Sequence, residues 1–72
     1  MEIMNGVVIN EVYPDLESVL NSKGQCIGVV VKSRKYPWKA MFFAYDDARF
    51  YYAMSAVEAV QAYLASRGDV NV

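Results

Sequence analysis

Histidine is absent from this 72-residue chain, and cysteine occurs once, as Cys26. A serine or cysteine nucleophile would therefore lack its usual histidine base, and a structural zinc site would lack most of its four thiolate or imidazole ligands. One thiol also cannot form an internal disulfide. Small domains often gain stability from such cross-links, so this chain must depend on efficient packing or on a partner subunit.

Long apolar runs and phosphate-binding loops are missing as well. No apolar run approaches the ~20 residues that a bilayer span requires, and the four glycines match no nucleotide-binding spacing. Asp46 and Asp47 are adjacent, but a calcium loop needs several more oxygen ligands at set spacing, so both are interpreted as turn formers. We therefore expect a protein that is not an enzyme, with no cofactor, no metal site and no membrane contact.

Apolar side chains are plentiful: they make up 56% of the sequence, and 14% of the residues are aromatic. This richness predicts one folded domain over residues 1–72 and argues against disorder. A chain of this size buries only about 60% of its unfolded surface, so its own core is marginal. The net charge of −1 favours no polyanion. The N-terminus has neither the basic start nor the apolar stretch of a secretory signal, which with the lone cysteine predicts a cytoplasmic protein.

The clearest element is a C-terminal helix. Ser55 and Glu58 have the spacing of a capping box, in which the serine hydroxyl accepts from the amide three residues later. Gly68 is suited to the left-handed conformation that ends a helix. The pattern predicts a helix over Ala56–Arg67, with an apolar stripe at helical spacing formed by Val57, Val60 and Leu64.

Strand patterns come before this helix. Residues 25–32 are rich in β-branched side chains, and residues 40–45 and 50–54 form a near mirror image around the four residues 46–49, which predicts a hairpin. In this hairpin Phe43 would lie opposite Tyr52, and Phe42 opposite Ala53. The three strands together would form an antiparallel meander.

The segment upstream of the meander is predicted to be a short helix. Pro14 is suited to a first helical turn and Gly24 to a helix end, with a short apolar stripe between them. Residues 6–12 are a candidate for a fourth strand. The predicted fold class is therefore α+β: a three-stranded antiparallel meander, with the N-terminal strand left open, a short helix before it, and a C-terminal helix packed on one face.

The meander has apolar residues on both faces, and the helices can cover only one. Phe43, Phe50 and Tyr52 are predicted to lie on the covered face. The uncovered face would then consist of five small or aromatic side chains: Val30, Phe42, Ala44, Tyr51 and Ala53. Because large apolar patches on soluble monomers often mark interaction sites, these residues are the predicted protein interface, most simply that of a homodimer.

A basic and aromatic segment follows the first strand of the meander. Its candidate contact residues are Lys32, Arg34, Lys35, Tyr36, Trp38 and Lys39. Cations interleaved with aromatic rings can neutralise phosphates while bases stack on the rings. The alternative is a solvated hairpin loop in which Trp38 anchors into the core and the lysines keep the edge soluble.

These observations favour a non-catalytic interaction protein that acts by binding another protein, itself included. Regulators and inhibitors of phages and mobile elements are often small domains of this kind, which is an analogy of size and composition. The alternative is a nucleic-acid-binding module that uses the basic and aromatic segment.

Overall fold

The structure, a computed structural model, describes residues 2–4 and 6–67 of the chain. Within them the elements are β1 (Glu2–Met4), β2 (Val7–Tyr13), β3 (Leu16–Leu20), β4 (Cys26–Lys32), β5 (Ala40–Ala44), β6 (Arg49–Ala53) and α1 (Ala56–Ser66). The strands form one antiparallel sheet in chain order. This confirms an α+β fold with an antiparallel sheet and a C-terminal helix, but the sheet has more strands than predicted.

The predicted short helix between Pro14 and Gly24 is wrong, because this segment contains strand β3 and the turns on either side of it. Pro14 lies in the turn between β2 and β3. The Asn21 side chain accepts from the amides of Lys23 and Gln25, at 2.9 and 3.0 Å, and Gly24 has a φ of +81° in the same turn. The proline and glycine that resembled helix ends are therefore turn residues.

The hairpin of β5 and β6 is confirmed, but its register differs from the prediction by two residues. Phe43 lies opposite Phe50, and Phe42 lies opposite Tyr51. The turn begins one residue earlier than expected, because Ala48 adopts a left-handed φ of 54° and Asp47 accepts from the amide of Arg49 at 3.1 Å. A shift of two residues leaves every side chain on its original face of the sheet.

Helix α1 begins where the capping box predicts. Ser55 Oγ accepts from the amide of Glu58 at 3.2 Å, and the Ser55 hydroxyl also donates to the Glu58 carboxylate at 3.2 Å. The helix ends at Ser66, with Arg67 as its cap, within one residue of the predicted end. The proposed stop at Gly68 lies outside the described residues.

The face of the sheet that α1 covers is the opposite of the predicted one. Val30, Phe42 and Ala44 are completely buried, and Tyr51 and Ala53 are half-buried against the same core. The interface predicted from these five residues is therefore wrong, because they lie beneath the helix. Their core partners come from β2, β3, β5 and α1, and are Val7, Ile9, Val19, Ala40, Ala59, Val60, Tyr63 and Leu64.

Side-chain size explains why the helix packs on this face. The Phe42 ring lies against Gly28, where an added Cβ would come within 2.5 Å of Phe42 Cε1. Ala40 and Ala44 flank Phe42 along β5 and leave room for the helix to approach. Tyr63 then contacts the Phe42 ring edge-on, with centroids 5.2 Å apart. On the opposite face, the side chains of β5 and β6 are long or aromatic and leave no such depression between these two strands.

Candidate functional site

The face of the sheet opposite α1 is called the open face here, and two rows of cross-strand partners define it. The first row runs from β2 to β6 through Asn10, Ser18, Val29, Phe43 and Phe50. The second row runs in the same direction through Tyr13, Leu16, Val31, Met41 and Tyr52. Every one of these residues is half-buried or exposed. The open face is therefore a mostly apolar surface that nothing in the described part of the chain covers.

A continuous chain of six aromatic rings crosses the β5–β6 half of the open face. In order of contact, the rings belong to Tyr36, Trp38, Tyr52, Phe50, Phe43 and Tyr45. Tyr36 stacks on Trp38 at 5.0 Å between centroids and 11° between planes, and Trp38 contacts Tyr52 at 5.4 Å. Phe43 and Phe50 are 4.9 Å apart. Such contacts hold the rings in place before any ligand binds.

These rings are exposed to a degree that is unusual for aromatic side chains in a sheet. Phe50 is 50% exposed, Tyr52 55% and Tyr36 57%. Isolated exposed apolar residues are common on proteins, but a contiguous group usually marks a binding surface. This group is contiguous.

Two of the four cations of the basic segment, Lys32 and Lys39, lie on the side of the sheet that α1 covers. Lys32 forms an ion pair with Glu17, at 3.3 Å, on the side of the sheet that α1 covers. Lys39 lines a cavity of about 410 Å³ on that same side, with Lys32 and Met54. Arg34 lies at the rim of a second depression, which also contains Lys32. The structure thus places Tyr36 and Trp38 on the open face and Lys32 and Lys39 on the opposite side of the sheet, with Arg34 and Lys35 exposed in the loop between β4 and β5.

Within the described residues, the two rows of the open face contain no charged side chain. The expectation that Trp38 anchors into the core is wrong, because its ring stacks between Tyr36 and Tyr52 on the open face. Trp38 itself is half-buried by these two neighbours. An aromatic surface without charge can be covered without removing ions from water.

The two aspartates of the β5–β6 turn bind different elements: Asp46 joins the turn to the end of α1, and Asp47 binds Tyr51 of β6. Asp46 accepts from the Tyr63 hydroxyl at 3.0 Å and forms an ion pair with Arg67. Asp47 accepts from the Tyr51 hydroxyl at 2.5 Å, and this hydrogen bond lowers the pKa of the Asp47 carboxyl. Burial, helped by the hydrogen bond to Asp46, raises the pKa of Tyr63 to about 12. These turn formers therefore also have a structural role that the sequence did not reveal.

Sequence reasoning missed the open face although the relevant signal was present. Gly28, Ala40 and Ala44 are small residues around Phe42, and together they indicate a depression that a helix can fill. The apolar character of the two faces is similar, but the height of their side chains differs. The side with glycine and alanine allows close packing, whereas the aromatic side does not.

The chain matches no protein-family model, no curated protein and no solved structure. Within residues 2–4 and 6–67, the structure contains no helix that is long and apolar enough to cross a membrane. Function is therefore inferred from the geometry of the open face.

Proposed function

We propose that this protein is a non-catalytic interaction module, of the regulator or inhibitor type, which binds another protein through its open face. The observation that supports the proposal is the chain of six aromatic rings from Tyr36 to Tyr45, four of them exposed, on a surface whose two rows contain no charged side chain within the described residues. The centres of protein interfaces are enriched in tyrosine, tryptophan, phenylalanine and methionine and depleted in charge. Met41, beside Tyr52, completes this composition.

A protein partner fits this surface better than a nucleic acid does. Binding of single strands combines stacking on aromatic rings with cations that follow the phosphate backbone. Here Lys32 is paired with Glu17 and Lys39 lines the helix-side cavity, so neither borders the rings of β5 and β6. A nucleic acid stacked on Phe43 and Phe50 would lie on the opposite side of the sheet from both lysines.

The proposal is tested with immobilised protein and two matched variants. Phe50→Glu places a charge in the middle of the ring chain, whereas Met54→Glu makes a similar change at an exposed residue that lines the helix-side cavity. Proteins retained from host lysate by the parent and by Met54→Glu, but lost with Phe50→Glu, would support the open face as the contact surface. Equal retention by all three would contradict the proposal, because the surface responsible would then lie elsewhere.

Nucleic-acid binding by the basic and aromatic segment is the second candidate function. It is favoured by the parallel stack of Tyr36 on Trp38, which lies in the same loop as the exposed side chains of Arg34 and Lys35. Fluorescence anisotropy with a labelled single strand, at several salt concentrations, measures this binding. If it is specific, Trp38→Ala should weaken it by about 1–3 kcal/mol through lost stacking. We expect for the parent only the weak binding of about 10⁻⁴–10⁻⁶ M that is typical of non-specific contacts.

A further inference from the structure

The open face has two halves of different height. The half formed by β5 and β6 carries the long side chains, among them Phe43, Phe50 and Tyr52. In the first row the half formed by β2 and β3 carries shorter side chains, Asn10 and Ser18, and in the second row it carries Leu16 and the exposed Tyr13. Val29 on β4 lies between the two halves, opposite both Ser18 and Phe43. Along the first row, therefore, the β5–β6 half of the open face is a ridge and the β2–β3 half is a shallow trough.

From this division we infer that the occupant of the open face is a second copy of the chain, packed face to face about a twofold axis parallel to the strands and above β4. This inference rests on the proposed function and names its partner. Along the first row, the axis places the ridge of each copy over the trough of the other, and along the second row it places Tyr52 against Tyr13 of the second copy. Phe43 then lies over Ser18 of the second copy, Phe50 lies over Asn10 of the second copy, and Val29 contacts its own equivalent at the axis. Two sheets pack in this way about 10 Å apart, with their strands nearly aligned.

The alternative twofold axis, in the plane of the sheet and perpendicular to the strands, is disfavoured by shape. If it passes over the first row, it places Phe43 and Phe50 over the same rings of the second copy. Ridge would then meet ridge, and the troughs at Ser18 and Asn10 would face each other across a gap. Protein interfaces of high affinity are packed as closely as protein interiors, so a gap of this kind argues against that arrangement.

Charge permits self-association. A twofold contact places each surface against itself, so any charge on it risks repulsion by its own copy. Within the described residues, the two rows of the open face carry no charged side chain. The polar groups of the trough, the Ser18 hydroxyl and the Asn10 amide, are neutral and small.

The size of the face also fits a dimer. A broad face of a body measuring 36 × 22 × 20 Å outlines roughly 700–800 Å², close to the ~800 Å² that each partner contributes to a stable interface. The same area is about one sixth of the 4629 Å² that the chain exposes to solvent. A chain this small has a marginal core, and covering this face gives its sheet a second buried side.

The test uses size-exclusion chromatography with light scattering on two variants and their mixture. Ser18→Lys changes the trough, and Phe43→Glu changes the ridge. We expect the parent to have twice the 8.1 kDa chain mass, and we expect each variant alone to be monomeric. Dissociation constants should rise roughly 100-fold or more, because both copies then bury a charge. The equimolar mixture should form a heterodimer. One of its two equivalent contacts joins the ammonium of the Ser18→Lys chain to the carboxylate of the Phe43→Glu chain, and the other is the native contact between Phe43 and Ser18.

Controls keep these outcomes separable. Circular dichroism establishes that each variant is folded, and Phe50→Glu repeats the ridge change at an exposed residue that the core does not need. A parent that is monomeric at about 1 mM would overturn the inference. If the parent is a dimer but the equimolar mixture of the two variants stays monomeric, the proposed register is wrong. A monomeric parent that still retains other proteins, with Phe50→Glu losing them, would leave the proposed function standing without a second copy as the partner.

Discussion

Phe42 and Phe43 are adjacent in β5 and point to opposite faces, so a pair of alanine substitutions tests which face α1 covers. Phe42 is completely buried, with Gly28 on one side and Tyr63 on the other. Phe43 is half-buried and contacts Phe50 on the open face. The two substitutions remove the same atoms, and only their surroundings differ.

The expected destabilisation differs severalfold between the two variants. Phe42→Ala should cost about 3–5 kcal/mol, because it removes a buried ring and leaves a cavity under the helix. Phe43→Ala should cost about 1 kcal/mol, which is the value of the aromatic contact that it loses. A chain of 72 residues has a total stability of roughly 4–11 kcal/mol, so Phe42→Ala approaches complete unfolding. Phe42→Leu provides a milder version of the same change.

Urea unfolding followed by circular dichroism measures both values. The protein is kept at about 1 µM, so that self-association adds little to the free energy of unfolding. Equal losses in the two variants would refute the assignment of the covered face. A larger loss for Phe43→Ala would restore the opposite face, the one predicted from the sequence.

Three further predictions concern the core and the two ends of α1. Gly28→Ala should cost about 1–3 kcal/mol, because the new methyl group meets the Phe43 carbonyl oxygen and the Phe42 ring; an unchanged thermal midpoint would mean that neither lies against the glycine. Ser55→Ala should cost about 0.5–2 kcal/mol in urea unfolding through loss of the helix cap, and no loss would show that α1 begins elsewhere. Burial raises the pKa of Tyr63 from 10.0 to about 12. The unfolded chain therefore loses this proton first, and stability should fall between pH 10 and 12 by at most about 1.4 kcal/mol per pH unit. Tyr63→Phe should lack this decline, and an equal decline in that variant would assign it to another group.

Local signals in the sequence predicted the elements whose structure is determined locally. The capping box at Ser55 located the start of α1, because the hydrogen bonds that form it join residues three positions apart. The near mirror around Asp46 and Asp47 located the hairpin for a similar reason. The segment between Pro14 and Gly24 was mispredicted because its apolar residues are too few to distinguish the periodicity of a helix from that of a strand. A strand of five residues can show the same apolar pattern as one and a half turns of a helix.

The covered face could not be predicted from how apolar each face was, because both are apolar. What decided it was the depth of the surface around Phe42, which depends on Gly28 in a neighbouring strand and on the hairpin register. The location of the candidate site depended on the same question, namely which face of the sheet α1 covers. The stack of Tyr36, Trp38 and Tyr52 joins a loop to the edge strand, and no spacing in the sequence indicates this contact.

The fluorescence of Trp38, the single tryptophan, tests most directly whether a protein covers the open face. Its ring lies between Tyr36 and Tyr52 on that face, so a partner copy would shield it from water. As the concentration rises from about 1 µM to about 0.5 mM, self-association through the open face should shift the emission to the blue and weaken its quenching by acrylamide. Phe50→Glu, which leaves the three stacked rings in place, should show neither change. Emission and quenching that stay constant over this range in the parent would contradict the account.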